Sequence, residues 1–531
     1  MATETQTLTQ SWFDRARFIP PDAIFALTAQ YLADTSPYKV NLGQGTYRDK
    51  NGSPWVLPSV NKSRELLSSQ GLAHEYLPIV GLTEFRKEAA RLALGDELFA
   101  KKQKQLATCQ SLSGTGALHL AGLLLRACKT PLPKIYVPEP TWSNHHQVFS
   151  SLGFQCESFR YYSPETRDVD IDSYYATLKS AEPNSVVIIH ACAHNPTGCD
   201  PSKEQWRELA RLFKERQLFP LFDAAYLGFN SGNVDSDAFA IRWFIEKTGL
   251  EAGVCLSFAK NMGLYGERVG CFLLATNTEQ AAVNTQSMLE MLQRSEVSNP
   301  PAYGAKIANT ILSSTTLRQA WYDDLITMSD RIRSMRKALY DKLVATGAPG
   351  SWEHLIRQSG MFGFLGLSPS VVLRLREQYH IYMADNSRIS IAGLNDGNVD
   401  DYTRKIVLGT ETAFLDGRGN EESKTGITNR VIVAEAARNE TEEGLEASIA
   451  GFQDNGRSRE LLDALTRIVT TKEDTRLYLA KIDNRIAGNH CSCDYANTNW
   501  GSTWKPLSPE SEVGVREIWN GQACGWRTRR Q

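Results

Sequence analysis

The chain has 531 residues, enough for about three domains, and a formal net charge of −2. That balance excludes a general nucleic-acid or polyanion binder, and no apolar stretch is long enough to span a membrane. The first residues carry no apolar signal core and no arginine before Arg15, and the ten cysteines include no C-x-x-C pair, so we expect a cytoplasmic protein with reduced thiols.

Pro20, Pro21 and Asp22 start a helix that runs to about Asp34, with Ile24, Phe25, Leu27 and Tyr31 on its apolar face. A short strand from Tyr38 then runs into Gly43 and Gly45, where backbone can approach a ligand closely. Tyr76 stands in the segment from His74 to Leu82. Ser113, Gly114 and Thr115 open an apolar helix through Leu125. Small residues at a helix start leave N–H groups free for an anion, and the helix dipole adds to the attraction. The loop lacks the Gly-Lys-Ser/Thr of a P-loop. A strand from Ile135 leads to Trp142 and His145, and a buried strand from Ser185 leads to the turn Asn195, Pro196, Thr197, Gly198. The strand from Phe219 ends at Asp223, with Tyr226 just beyond. A carboxylate in such apolar surroundings needs a partner. Two apolar runs, Ala252 to Leu256 and Val269 to Ala275, read as buried strands of a mostly parallel sheet. Between them lie Ser257, Lys260 and Arg268. Lys260 falls at the carboxyl end of a strand, where open α/β sheets bind ligands. Desolvation there lowers a lysine pKa and makes the amine a nucleophile. Further on come Arg294, a helix from Met328 to Val344, a strand over Gly360 to Leu367 with Phe362, Arg388 beyond His380, and a closing helix near Asp400 to Leu408.

Taken singly, each feature has an ordinary structural explanation: a turn, a helix cap, a packed aromatic, a solvated charge. Six separated segments in this order, from about Phe18 to Leu408, together resemble the aspartate aminotransferases, class I pyridoxal-phosphate-dependent enzymes. The resemblance implies a fold-type-I α/β architecture: a large domain with a mostly parallel sheet covered by helices, and a smaller α/β domain. It implies pyridoxal 5'-phosphate as cofactor, joined to Lys260 as a Schiff base. Ser113, Gly114, Thr115, Ser257, Arg268 and the neighbouring subunit's Tyr76 would hold its phosphate. Trp142 would stack on the ring, Asp223 would pair with the ring nitrogen with His145 orienting it, and Asn195 and Tyr226 would reach the phenolic oxygen. Arg388 would clamp the substrate α-carboxylate, Arg294 the distal carboxylate from across a homodimer interface, and Gly45 and Phe362 would face the substrate. The implied reaction is ping-pong amino transfer between aspartate, or a similar amino acid, and 2-oxoglutarate. Four positions depart from the family pattern: Gln44 for the usual Val, Thr46 for Ala, Val297 (after Glu296) for an aromatic, and Ser387 for Gly. The altered loops around Gln44 and Glu296-Val297 motivate a second reading, an aromatic or specialised donor on the same fold. A third reading, a catalytically idle scaffold, is opposed by the retention of every cofactor-contacting position.

The expected domains are 1–50 and 325–410 for the smaller domain, 51–324 for the larger, and 411–531 as an extension of uncertain fold. Asp416 to Thr425 is polar and linker-like. Residues 458–488 give a helix and hairpin pattern resembling the start of an N-acetyltransferase domain, without its Gly-rich pyrophosphate loop. His490, Cys491 and Cys493 lack a second metal-spaced pair, so no metal is expected. Trp500, Trp504, Trp519 and Trp526 make the end apolar, and the whole reads as an appended fragment.

Overall fold

The computed structural model describes residues 11–417, which lie in the first of the two units into which the chain divides, Met1–Arg418. The polar stretch beyond 417, the helix and hairpin pattern, the His490–Cys493 group and the four late tryptophans fall outside the described residues. Among the described residues no helix is long and apolar enough to cross a membrane.

A seven-stranded sheet forms the centre. Its spatial order is Leu106–Leu112, Val269–Ala275, Ala252–Ser257, Phe219–Ala224, Val186–His190, Ile135–Glu139, Cys156–Arg160. Only Val269–Ala275 runs antiparallel to its neighbours. Val186–His190, Ala252–Ser257 and Val269–Ala275 are buried along their whole length, as continuous apolar runs in a two-faced sheet should be. Alternation assigns the faces. Val186 and Ile188 pack with the helix Ser113–Cys128, while Val187 and Ile189 pack on the opposite side with Leu209 and Phe213 of the helix Lys203–Glu215. Each fully buried Leu, Ile or Phe contributes about 1.5–3 kcal/mol. Exposed ion pairs, worth about 0–1 kcal/mol each, are secondary.

A helix of 31 residues, Thr315–Ala345, links this layer to the smaller one. It starts well before Met328 because Ser314 caps it, accepting from the Leu317 N–H. Its buried positions, among them Leu317, Trp321, Leu325, Met328, Ile332, Leu339 and Leu343, recur every three or four residues, the spacing of one helical face. The smaller layer joins the two ends of the unit. Val40–Asn41 pairs in parallel with Ile381–Tyr382, and Phe362–Phe364 pairs antiparallel with Arg388–Ser390. The helix near the amino end is Ala23–Ala33, capped by Asp22. Of its expected apolar face only Leu27 is buried, and Phe25 is exposed. The closing helix is Val399–Gly417, longer than expected. The expected end is near Leu408, yet Gly409 lies inside this helix, against Leu375 and Val371 of the helix Pro369–Tyr379.

Candidate active site

All six strands of one sense end on the same edge of the sheet. The reversed strand begins there, so Arg268 at its head meets residues at the tails of the others. Ser113 opens its helix with φ of 61°, and its N–H donates to the Arg268 carbonyl at 3.1 Å. Its hydroxyl lies 2.8 Å from that of Ser257, which also accepts the Ala259 N–H at 3.3 Å. Gly270 is required here, because a Cβ would stand 2.5 Å from the Ser113 carbonyl. Gly114 packs on Ser257, and Thr115 is half-buried one position on. Arg268 is exposed, its Nη1 donates to the Tyr265 carbonyl at 3.0 Å, and desolvation pulls its pKa down. Two hydroxyls, a guanidinium and the first amides of a 16-residue helix match a phosphate dianion.

Lys260 follows Ala252–Ser257. Its neighbour Asn261 is pinned twice: the side chain donates to the Leu227 carbonyl at 3.0 Å, and the main-chain carbonyl accepts Trp321 Nε1 at 2.7 Å. Desolvation, the largest cause, brings the Lys260 pKa down from 10.5 to about 8; Arg268 and Arg388 add to the fall and Asp223 opposes it. Its Nζ stands 5.9 Å from the ring centres of Tyr226 and of Tyr265. The Tyr265 hydroxyl accepts the Tyr47 N–H at 2.9 Å. Tyr226 is buried, which raises its phenol pKa.

Behind the lysine a run of hydrogen bonds points one way. The Asn195 N–H donates to His190 Nδ1 at 3.1 Å. Burial holds the His190 pKa well below the ordinary value, so the ring is neutral and its proton sits on Nε2. That nitrogen donates to Thr141 Oγ1 at 3.2 Å, and the hydroxyl donates to His145 Nδ1 at 2.8 Å. His145 Nε2 is then left to donate to Asp223 Oδ2, at 3.1 Å. Burial alone would raise the Asp223 pKa, but the hydrogen bond from His145, with Lys260 nearby, outweighs it and holds the carboxyl below its usual range. The ligand atoms of His145, His190 and Asp223 lie within 4.8 Å of one another, close enough for a metal. In this arrangement, however, two ring nitrogens accept and two carry protons, so no imidazole lone pair is free. Trp142 borders the same group, edge-on to His145 at 5.5 Å.

Arg388 closes the other side. It is buried, and Nη1 donates to Asn195 Oδ1 at 3.3 Å and Nη2 to the Gly43 carbonyl at 2.8 Å. Its Nε is buried without a partner. The guanidinium lies 4.3 Å above the Phe362 ring, and Gly45 backs onto that ring. A desolvated cation with an unmet donor is a carboxylate site in waiting.

The structure thus gathers Ser113, Gly114, Thr115, Trp142, His145, Asn195, Asp223, Tyr226, Ser257, Lys260, Arg268, Phe362, Arg388 and Gly45 around one edge. It does not bring in Tyr76 or Arg294. Tyr76 is 87% exposed, and Arg294 is exposed and bonded to the Ser298 hydroxyl. Thr141, His190, Asn261 and Tyr265 are members of the site that sequence reasoning did not single out. The one available signal was the pair of histidines, His190 and His194, framing the segment before Asn195.

The family model for aminotransferase class I and II matches residues 37–406. The chain belongs to this family. The aminotransferase is 43% identical over 403 residues to the cytoplasmic aspartate aminotransferase of Saccharomyces cerevisiae, covering 74% of this chain and 96% of that one. It is 44% identical over 391 residues to the mitochondrial aspartate aminotransferase of Dictyostelium discoideum, covering 73% and 91%. Among solved structures, the aromatic-amino-acid aminotransferase of Burkholderia pseudomallei, covalently bound to pyridoxal phosphate, matches with a TM-score of 0.73 and 36% identity, covering 75% of the aminotransferase and 100% of that chain.

Proposed function

We propose that this aminotransferase moves the amino group between aspartate and 2-oxoglutarate by a ping-pong mechanism, using pyridoxal 5'-phosphate. The observation that carries the reading is the opposition of Lys260, with its depressed pKa, and Arg388, with its unmet buried donor. The residues present fit the cofactor. Ser113, Gly114, Thr115, Ser257 and Arg268 would hold the phosphate, Trp142 the ring face, Asp223 the ring nitrogen, and Asn195 and Tyr226 the phenolic oxygen. Bound there, pyridoxal phosphate supplies an electron sink for the bond broken at the substrate Cα. The protein does the rest. Arg388 binds the α-carboxylate, with Phe362 below it and Gly45 leaving room. Asp223, kept ionised by His145, holds a proton on its partner nitrogen. Lys260, part neutral near pH 7, takes the α-proton and would return it to the cofactor carbon on the far side of the substrate nitrogen. Orientation of the Cα–H bond follows from fixing the carboxylates at both ends of the substrate.

The reading includes a homodimer. Its support is that Tyr76 and Arg294 are exposed and outside the site of their own chain, and that Trp12, Phe13, Phe18, Ile19 and Phe25 are exposed apolar residues. In the dimer Tyr76 would reach the partner's phosphate site and Arg294 the distal carboxylate of its substrate. A cytoplasmic location is supported by the yeast relative and opposed by the mitochondrial one; cell fractionation decides it. The second reading, an aromatic donor, draws on the likeness to the B. pseudomallei enzyme and on Val297. A screen of amino donors against 2-oxoglutarate tests both. Aspartate should lead, and Arg294→Ala should weaken it by about 2–5 kcal/mol, the loss for one partner of a buried charge pair, while leaving an aromatic donor much less affected. An aromatic or neutral amino acid leading in the wild type would replace the first reading with the second.

A further inference from the structure

Two charged side chains outside the cofactor and substrate contacts lie behind the Arg388 pocket. Asp200 closes the turn that carries Asn195. Its Oδ2 accepts the Ala193 N–H at 2.7 Å and its Oδ1 the His194 N–H at 2.9 Å. Oδ2 also takes the Ser359 hydroxyl, at 3.3 Å. Arg336 is 4% exposed on the helix Thr315–Ala345. Its guanidinium bonds main-chain carbonyls: Gly360 at 2.7 Å, Phe362 at 2.9 Å and Leu355 at 3.4 Å. Among the described residues it forms no ion pair with a carboxylate.

The two loops are stitched together at Gly198. The Ser359 N–H donates to the Gly198 carbonyl at 2.7 Å. Gly198 has φ of 66°, and a Cβ there would come to 2.9 Å from the Ser359 carbonyl oxygen and 3.1 Å from that of Phe362. Both loops end on one group: Asn195 Oδ1 accepts from Arg388, and the Phe362 ring lies under the same guanidinium. A charge away from water costs several kcal/mol unless well satisfied, and apolar residues of similar volume are often as stable. Stability alone therefore gives little reason for this pair of charges. What they fix is backbone position.

We propose that Asp200 and Arg336 are positioning residues for the substrate α-carboxylate: the carboxylate sets the Asn195 turn, the guanidinium sets the Phe362 loop, and Ser359 and Gly198 lock the two so that Arg388 presents its free donor in one orientation. The inference rests on the amino-transfer reading. It makes the two residues determinants of affinity for every substrate, since all amino and oxo acids share the α-carboxylate, and indifferent to the choice of side chain.

The test uses the full-length holoenzyme. Succinate, an unreactive dicarboxylate, is titrated by calorimetry, and KM is measured for whichever amino donor the wild type prefers and for its oxo acid. Asp200→Asn turns one acceptor into an N–H donor facing a main-chain N–H. Arg336→Met removes the carbonyl ligand, and Arg336→Lys returns part of it. Losing a hydrogen bond to a charged group costs about 1.5–3 kcal/mol, so Kd for succinate and both KM values should rise about 10–100-fold. Arg336→Lys should fall between Arg336→Met and wild type. Asp200→Asn with Arg336→Met should weaken binding less than the product of the single effects, because both act through Arg388. Attachment of pyridoxal phosphate to Lys260 should keep its wild-type pH dependence. Ser359→Ala, too mild to unfold the protein, should cost about 2–10-fold. A fall in Tm with Kd and KM within twofold of wild type overturns the proposal, and so does a loss of cofactor attachment equal to the loss of succinate. A wild type that binds succinate but transfers no amino group sinks the reading of function instead, and the Kd series still decides this one.

Discussion

A lysine titrating at about 8 keeps roughly a tenth of its population neutral at pH 7. An ordinary lysine keeps far less. The rate at which the apo-protein captures pyridoxal phosphate should therefore rise with pH and level off above about 8, a plateau readable by stopped-flow absorbance. A rise continuing towards 10 would show an ordinary lysine. Lys260→Ala should lose amino transfer by several orders of magnitude, and borohydride reduction followed by peptide mapping should place the cofactor on Lys260 and on no other lysine. Asp223 is a matter of neighbours too. Thr141→Val removes the hydroxyl that both receives the His190 proton and feeds His145. Stability should fall by about 1–3 kcal/mol, and kcat should fall because Asp223 loses its oriented partner; an unchanged kcat would make Thr141 a packing residue only. Asn195, Asp223, Lys260 and Arg388 were legible in sequence because each sits in a contiguous motif with an unusual neighbour set. Thr141 and His190 were not. His190 stands beside Asp223 only through the register of adjacent strands, and a linear reading does not contain register.

Among the elements, strand existence was readable and strand direction was not. Val269–Ala275 is buried on both faces whichever way it runs, so its apolar composition is blind to its antiparallel pairing. The closing helix shows the same limit: Gly409 signals an end only if nothing packs on it, and Leu375 does. Ser387 departs from the family glycine at a place where backbone matters, with φ of 70°. Its hydroxyl accepts the Leu367 N–H at 2.9 Å, which offsets the strain of a left-handed conformation, about 1 kcal/mol. Ser387→Ala keeps the strain and loses the bond, so it should be less stable by about 1–2 kcal/mol, whereas Ser387→Gly should lie close to wild type; thermal melts in the opposite order would remove the hydrogen bond from the account. The helix Ala23–Ala33 is tied to the strand Ile381–Tyr382 by Asp34, whose pKa is drawn down to about 2 by the Ser36 amide first, then by Tyr382 and His380. A depressed carboxyl stabilises above its unfolded value of 3.8 and loses that contribution as pH falls towards 2. Asp34→Asn should therefore narrow the stability gap to wild type only in that acid window, as followed by circular dichroism.

For the whole molecule, the helix Val399–Gly417 marks where a truncation should be placed, just past the start of the polar stretch at Asp416. Every residue proposed to hold cofactor or substrate precedes it. A chain ending after Arg418 should keep cofactor capture, assembly and amino transfer within a few-fold of the full chain, measured by absorbance, light scattering and coupled assay. Loss of any of these would give residues 419–531 a part in the site. The pairing of Val40–Asn41 with Ile381–Tyr382 and the bond from Arg388 to the Gly43 carbonyl carry one more consequence. Gly43 waits for Arg388, 345 positions later in the chain. The phosphate cradle already waits for Arg268, and Leu106 for its partner Ala275. Contacts of such long sequence separation form slowly. During synthesis, then, every strand of the central sheet is made before the pocket residue Arg388, and carboxylate recognition has to wait for it. A partly made copy is spared from seizing substrate it cannot turn over.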